Sequence, residues 1–514
     1  MTVNRPTSWH PVNLLWLRLY RELNSYDNYS PIKGATCDLV AYFFRRNFTL
    51  IAEGKFVSLI STNTIAQGET REGSLDVIVN YGQINFAIKS MKWPGLAAVS
   101  VALLSIYKGQ WLGHFILNGK IVETISPFLD DAVASQNPFK LEINNDKSFK
   151  GSYVLGLGFT MSESEALGVI QIDKKYKKVI FPYLIGEDVN RSPIQKPSRW
   201  IVNFFDWPIE KCQRDYPICF NKIEAEVKPE RIILKDKGYR EKWWQYARRG
   251  VELYNTISEY DSVFVSCTVT KHLSHIKLPS NLVFDIATNI VTYQKMSDFS
   301  IIQSNIHSSW AWKYGSTMKS DLRYTPTDCI QNFPFPQNLN QQLAQKLNQI
   351  GEDYHEHRRQ LMLSLQIGLT KTYNLFHKKD LSLNDIEKVS KVRGSNPPSP
   401  PLSKGGQASP ISEKGYHDII KLRELHVQMD NAVLSAYGWT DIALAHDFYE
   451  VGYLPENDRT RFTISPEARR EILKRLLKLN HEIHGQGVKA GLWEKKKGKK
   501  DKRDTTNQAR LSID

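Results

Sequence analysis

FVSLISTNTIAQGETREGSLDVIVNYGQINFAIKSMKWPGLAAVSVALLSIY, residues 56–107, is the stretch from which the rest of the chain is read. Phe56 to Ile60 is an apolar, β-prone run and predicts a buried strand. It runs into a polar turn, Ser61-Thr62-Asn63-Thr64. A helix is expected next, with Asp76, Val77, Ile78 and Val79 near its end and Tyr81-Gly82 as its stop. A hairpin follows. Its arms are Ile84 to Ile88 and Val99 to Tyr107, and its turn is Lys92-Trp93-Pro94-Gly95.

Working outward, Asp38 is placed to cap a helix LVAYFFRRNFTLI, with Leu39, Phe43 and Leu50 on one face. Glu53-Gly54 then turns the chain into what reads as a central strand. At 514 residues the chain is too long for one core, so two to four domains are expected. Its net charge of +14 suits a polyanionic partner, although a solvated basic surface would give the same balance. Five cysteines without a CxxC pair argue against metal ligation and a disulfide framework, and fit a reducing cytoplasm. No apolar run reaches the length of a membrane span. Arg18 and Arg21 interrupt the apolar patch near the start, and no small-residue cleavage site follows, so a signal peptide is not expected.

Strand, helix and terminal hairpin is also how the sheet of a class I S-adenosylmethionine-dependent methyltransferase ends. Three long motifs sharpen this: STNTIAQGETREG at 61–73, SMKWPGLAAV at 90–99 and SDLRYTPTDCIQNFPFP at 320–336. Together they resemble the MmeI-like adenine-specific DNA methyltransferases, restriction–modification enzymes in which methylase and target recognition share one chain. The resemblance runs from about Gly34 to His481. It implies S-adenosyl-L-methionine as cofactor and double-stranded DNA as partner. It makes the helix after Asp38 the motif called V, whose apolar face borders the cofactor's adenine, so that Leu39 and Phe43 form part of that pocket. Both residues read equally well as plain core. It makes Trp93-Pro94 the aromatic-before-proline element called VIII. An adenine methylase must extract its base from the duplex, and an aromatic face can stack on the extruded base. The other reading of Trp93 is a ring that closes a hydrophobic hairpin.

The implied fold class is α/β plus α: a partial class I (Rossmann-like) sheet, a mixed α+β recognition domain and a helical C-terminal domain. Residues 1–33 match no motif. The methyltransferase portion spans 34–112, a connecting segment 113–180, the target-recognition domain 181–336 and the helical domain 337–484. A basic tail covers 485–514. The recognition region interleaves aromatics such as Trp200, Trp207, Trp243 and Trp244 with basic residues. Such a mixture can stack on bases and neutralise phosphates, or can simply be a core with a charged face. Arg240, Lys242, Lys271, Lys319 and Arg323 are the DNA-binding candidates. Long amphipathic helices are expected over Asn340–Thr372, with a break at Gly368, over Tyr416–Tyr437 and from Ser465-Pro466 onward.

Two look-alikes are set aside. Gly156-Leu157-Gly158 has the composition of a glycine-rich cofactor loop, but no βαβ unit surrounds it and a strand bend is the commoner cause. Asn396-Pro397-Pro398-Ser399 approaches the catalytic NPPY/NPPF motif. It lies in a Pro/Ser/Gly-rich insert, 394–410, expected to be disordered, and lacks the aromatic fourth residue. The family's cofactor loop and its NPPY/NPPF motif both belong before Asp38, where neither occurs. No nuclease motif is found either, and the catalytic residues are therefore unassigned. The expectation is a site-specific adenine-N6 DNA methyltransferase polypeptide, truncated or split, with a separate chain carrying the N-terminal methyltransferase or nuclease part. The alternative is a non-catalytic recognition or specificity subunit, or a remnant.

Overall fold

The computed structural model describes residues 37–96, 99–131, 136–337, 339–390, 409–455 and 458–492. They form two compact units, each mixing helices and sheets. The first gathers residues up to Pro138, Ser309–Arg323 and Ala445–Lys478. The second takes Phe139–Ser308, Tyr324–Leu444 and residues from Leu479 on.

Helix α1 (Leu39–Leu50) opens the first unit, with the Asp38 carboxylate accepting the Val40 N–H at 3.4 Å. Its buried face is Ala41, Tyr42, Phe44, Arg45 and Phe48, which corrects the expected apolar face. Phe43 is 44% exposed, and Leu50 is exposed as well. The helix carries two apolar stripes, and the one at i, i+3, i+7 meets the sheet. It can do so because position 82 is glycine. A Cβ there would stand 2.4 Å from the Tyr107 carbonyl oxygen and 2.8 Å from the Phe48 ring.

Strand β1 (Phe56–Thr62) is an edge strand, not the buried central strand expected. The sheet order is β1-β3-β2-β4-β5, with β2 Gly82–Lys92, β3 Ser100–Lys108, β4 Phe115–Leu117 and β5 Lys120–Val122. β1 and β2 both pair antiparallel with β3, and β4 lies parallel to β2. The predicted hairpin is therefore present and longer than expected. Val57 and Leu59 pack on the core with Phe44, Phe48, Leu104 and Ile106. Phe56 and Ile60 alternate with them and are 46% and 47% exposed. Burial of side chains of this size contributes about 1.5–3 kcal/mol each.

The single helix expected after β1 is instead a 3-10 turn (Asn63–Ala66) and two short helices, α2 (Gly68–Glu72) and α3 (Leu75–Ile78). Gly68 stands at φ +48°, so no helix runs through it from residue 63.

In the second unit, Ser262–Cys267 lies between Ile276–Pro279 and Thr288–Val291, with Ser148–Lys150 beyond the latter. A second sheet joins Val283–Phe284, Ile180–Leu184, Arg199–Val202 and Thr160–Met161. Helices Gln341–Leu365, Leu369–Phe376 and Pro410–Ala436 complete it. The break near Gly368 is there: Gln366 turns left-handed at φ 52° and ends the first helix. Gly156-Leu157-Gly158 enters a 3-10 turn, Leu157–Phe159. A Cβ at Gly158 would come 2.5 Å from Glu226 Cβ, so this glycine serves close packing on helix Pro217–Glu226. Residues 1–33, most of the 394–410 insert with Asn396–Ser399, and the tail beyond Leu492 lie outside the described residues.

Candidate nucleic-acid interface

Because β1 and β2 are both antiparallel to β3, their carboxyl ends share one end of the sheet. Thr62 and Met91 each pair with Val101. The chain leaves β1 there at Asn63 and leaves β2 at Trp93. Helix α1 begins at that end too, since the Asp38 N–H donates to Thr70 Oγ1 at 3.2 Å. Leu39 (half-buried), Phe43 and Trp93 thus share this end. Trp93 donates its N–H to the Val99 carbonyl at 3.0 Å, and its indole lies against Gly95, where a Cβ would stand 2.5 Å from Nε1. The ring remains 37% exposed.

A distant piece of chain joins them. Ser316–Met318 and Asp321–Arg323 form a hairpin whose turn is Lys319-Ser320. Lys319 adopts φ 58°, and both Lys319 and Arg323 are exposed. Thr317 is fastened to the turn after β1. Its N–H donates to Gln67 Oε1 at 2.9 Å, and Gln67 Nε2 donates back to Thr317 Oγ1 at 3.0 Å. Asn63 Nδ2 reaches the same hydroxyl at 3.5 Å. Sequence reasoning missed Gln67, Asn63 and Thr317; a tie across 250 positions leaves no local pattern.

The arginine of the GETREG motif is structural. Arg71 is buried, donates to Asp76 at 3.2 Å and to Asn137, and lies 3.7 Å above the Phe128 ring. Lys313 sits over the same ring at 4.1 Å and pairs with Asp130. Burial pushes the Asp130 carboxyl up, but Lys313 and Lys89 outweigh it and hold the group at about 2. Burial lowers the Lys89 ammonium to about 8 against the pull of Asp130.

The third motif divides between the two units. Its SDLR part ends the hairpin of the first unit. From Tyr324 on it belongs to the second, where Tyr324 is buried and its hydroxyl meets His307 Nε2 at 2.8 Å. The remaining DNA candidates also lie in the second unit. Arg240 folds back and donates to the carbonyls of Leu234 and Lys235 at 2.7 and 2.8 Å. Lys242 is exposed and Lys271 half-buried. Several aromatics of this region are internal: Phe204, Trp243 and Tyr246 are buried, and the Tyr246 hydroxyl donates to the Val202 carbonyl at 2.7 Å. For these rings the plain-core reading holds. All five cysteines are buried thiols. Among the described residues no cluster of His, Cys, Asp and Glu is arranged to hold a metal, and no helix is long and apolar enough to cross a membrane.

Residues 145–337 match the family described as MmeI, target recognition domain. The chain is thus similar to MmeI-like DNA methyltransferases that carry such a domain, and the resemblance read from the three motifs is borne out. Among individual proteins, it is 23% identical over 327 residues to DNA methyltransferase A of Bacillus subtilis (strain 168), covering 58% of this chain and 34% of that one. Its fold is similar to that of the Type IIL restriction-modification enzyme MmeI, solved in complex with DNA, with a TM-score of 0.64 and 16% identity over 89% of this chain and 54% of that one. The chain therefore spans about a third to a half of these relatives.

Proposed function

We propose that these residues form the recognition and base-extraction part of a site-specific adenine-N6 DNA methyltransferase of a restriction–modification system. The partner is double-stranded DNA, and S-adenosyl-L-methionine supplies the methyl group. The observation that carries the reading is the convergence, at one end of the sheet, of Trp93, the start of α1 and the hairpin with Lys319 and Arg323. In this reading the partial sheet is the Rossmann-like methyltransferase core. Trp93 offers a face to the extruded adenine, and Lys319 and Arg323 neutralise backbone phosphates, with Lys242 and Lys271 adding contacts from the second unit. Arg240, committed to two carbonyls, shapes its own loop instead.

The fit to the cofactor is partial. Leu39 and Phe43 make one apolar wall suited to an adenine ring. The described residues add no glycine-rich turn with an acidic partner to receive the ribose. In this reading the cofactor loop and the Asn-Pro-Pro motif come from a separate polypeptide. This incomplete wall also favours a second reading, a recognition subunit without chemistry of its own.

Binding to a mixed-sequence duplex tests the DNA reading. Affinity is expected to fall steeply between about 50 and 200 mM salt, because phosphate contacts release counterions. Salt-insensitive binding, or none, would end it. Tritiated-methyl transfer by the chain alone, set against transfer after addition of a polypeptide bearing the cofactor loop, separates the two readings.

A further inference from the structure

We infer that Gln67 is a positioning residue. Its amide latches the Ser316–Arg323 hairpin to the sheet end, so that Lys319 and Arg323 meet DNA in a fixed register with the Trp93 turn. The proposal deepens the DNA reading above and rests on it.

The Gln67 amide holds Thr317 at two points. Gln67 presents an acceptor to the Thr317 N–H at 2.9 Å and a donor to the Thr317 hydroxyl at 3.0 Å, matching the donor and acceptor of one residue with the acceptor and donor of another. The hairpin is three residues a side with a two-residue turn, and its Leu322 is buried. Its outer residues, Met318, Lys319 and Arg323, are exposed, and Thr317 directly precedes Met318 in sequence. Gln67 itself is held at the start of α2, where Gly68 forces the chain out of the preceding turn. The hinge that breaks the expected helix therefore aims the side chain that holds the hairpin. Asn63, from the same turn, supports the contact at 3.5 Å.

Four variants of the full chain test this, with a mixed-sequence duplex as probe and hydrogen exchange as a second readout. Gln67→Ala is expected to speed exchange at residues 316–318 by about tenfold, the scale of one lost hydrogen bond, while leaving β3 unchanged. It should also weaken DNA binding and lower the salt slope by about one, as Lys319→Ala should, since each removes the same phosphate contact. The double variant should be no weaker than either single one, because both act through one hairpin. Gln67→Glu should retain the latch, since a carboxylate accepts from both the N–H and the hydroxyl of Thr317.

Additive losses in the double variant, or unchanged exchange at 316–318 in Gln67→Ala, would overturn the proposal. If Lys319→Ala leaves affinity and slope untouched, the DNA role of the hairpin fails, while the exchange result still decides whether Gln67 holds it. Should Gln67→Ala not fold, Thr317→Val against Thr317→Ser asks the same question. Serine should behave as the parent and valine should loosen the hairpin, and equal behaviour of the two would count against the latch.

Discussion

The two units solve the problem of a sheet face in opposite ways. In the second, sheets and helices close around a polar centre. Arg358 is buried and donates to the His275 carbonyl at 2.5 Å, to the Tyr373 hydroxyl at 2.9 Å and to Gln303 Oε1 at 3.3 Å. His275 and His307 lie fully buried beside it, their rings 6.3 Å apart. In the first unit, among the described residues, one face of the sheet holds the buried core and the other is partly exposed, with Phe56 and Ile60 on it and β1 at the edge. A closed unit with a buried polar core should respond sharply to protonation. A unit with a partly exposed sheet should respond at its surface.

Acid is the strongest test of that contrast. Burial holds His275 well below the ordinary histidine range, with His307 and Arg358 adding repulsion, and burial alone takes His307 down to about 3. A histidine whose folded pKa is depressed is neutral in the fold and protonated in the unfolded chain at lower pH. The second unit therefore loses stability as pH falls below about 6.5, and goes on losing it until the folded pKa is reached. At pH near 4.5 the loss is about 3 kcal/mol for His307. The first unit has the opposite kind of group in Asp130, held at about 2. Its contribution is present above the ordinary carboxylate range and is lost only as pH falls from about 4 toward 2. Between about pH 6.5 and 4.5, exchange protection should drop in residues 262–267 and hold in residues 100–108. Equal loss in both strands would break the comparison.

A smaller effect is expected at the Trp93 turn of the first unit. In an enzyme completed with its cofactor-binding part, Trp93→Ala should cost the extruded adenine about 1–3 kcal/mol of stacking and leave duplex affinity nearly intact. The ring is already part-exposed and lies on a turn, so the melting temperature should scarcely move. A fluorescent base analogue at the target adenine reports extrusion. If the variant extrudes and methylates like the parent, Trp93 is a hairpin-closing ring and nothing more.

How far these features could be read beforehand depended on whether their causes were local. The cap at Asp38, the hairpin about Trp93 and the break before Leu369 follow from short-range chemistry and were legible. The buried stripe of α1 was not, because Leu39 with Phe43 and Ala41 with Phe44 are equally apolar, and only packing in the tertiary fold chooses between them. The edge position of β1 depends on which strands pair, and alternation of apolar residues does not reveal that. The polarity of the recognition region was visible, but the fate of each side chain was not. Arg240 and Lys242 stand two residues apart, one spent on carbonyls and the other in solvent. For the candidate site, Trp93, Lys319 and Arg323 could be named from the sequence, while the Gln67 tie depended on a fold that joins positions 250 apart.

The smallest effect belongs to the uncovered face of β1. Ile60 is 47% exposed and points away from the core that holds Val57 and Leu59. Replacing it by lysine removes no packed contact there, so stability should change by no more than about 0.5 kcal/mol. What should change is association. An edge strand with open backbone groups and apolar side chains invites pairing with another chain, and a charge on that strand is the usual protection. Ile60→Lys is thus expected to raise the concentration at which the chain stays monomeric while its melting temperature holds. The matching change in the closed unit, Val265→Lys in strand Ser262–Cys267, should instead prevent that sheet from forming, because Val265 is completely buried. Light scattering and thermal melts of the two variants measure the contrast. If Ile60→Lys unfolds the first unit, its outer face is covered by something that β1 needs, and the sheet is not open in solution.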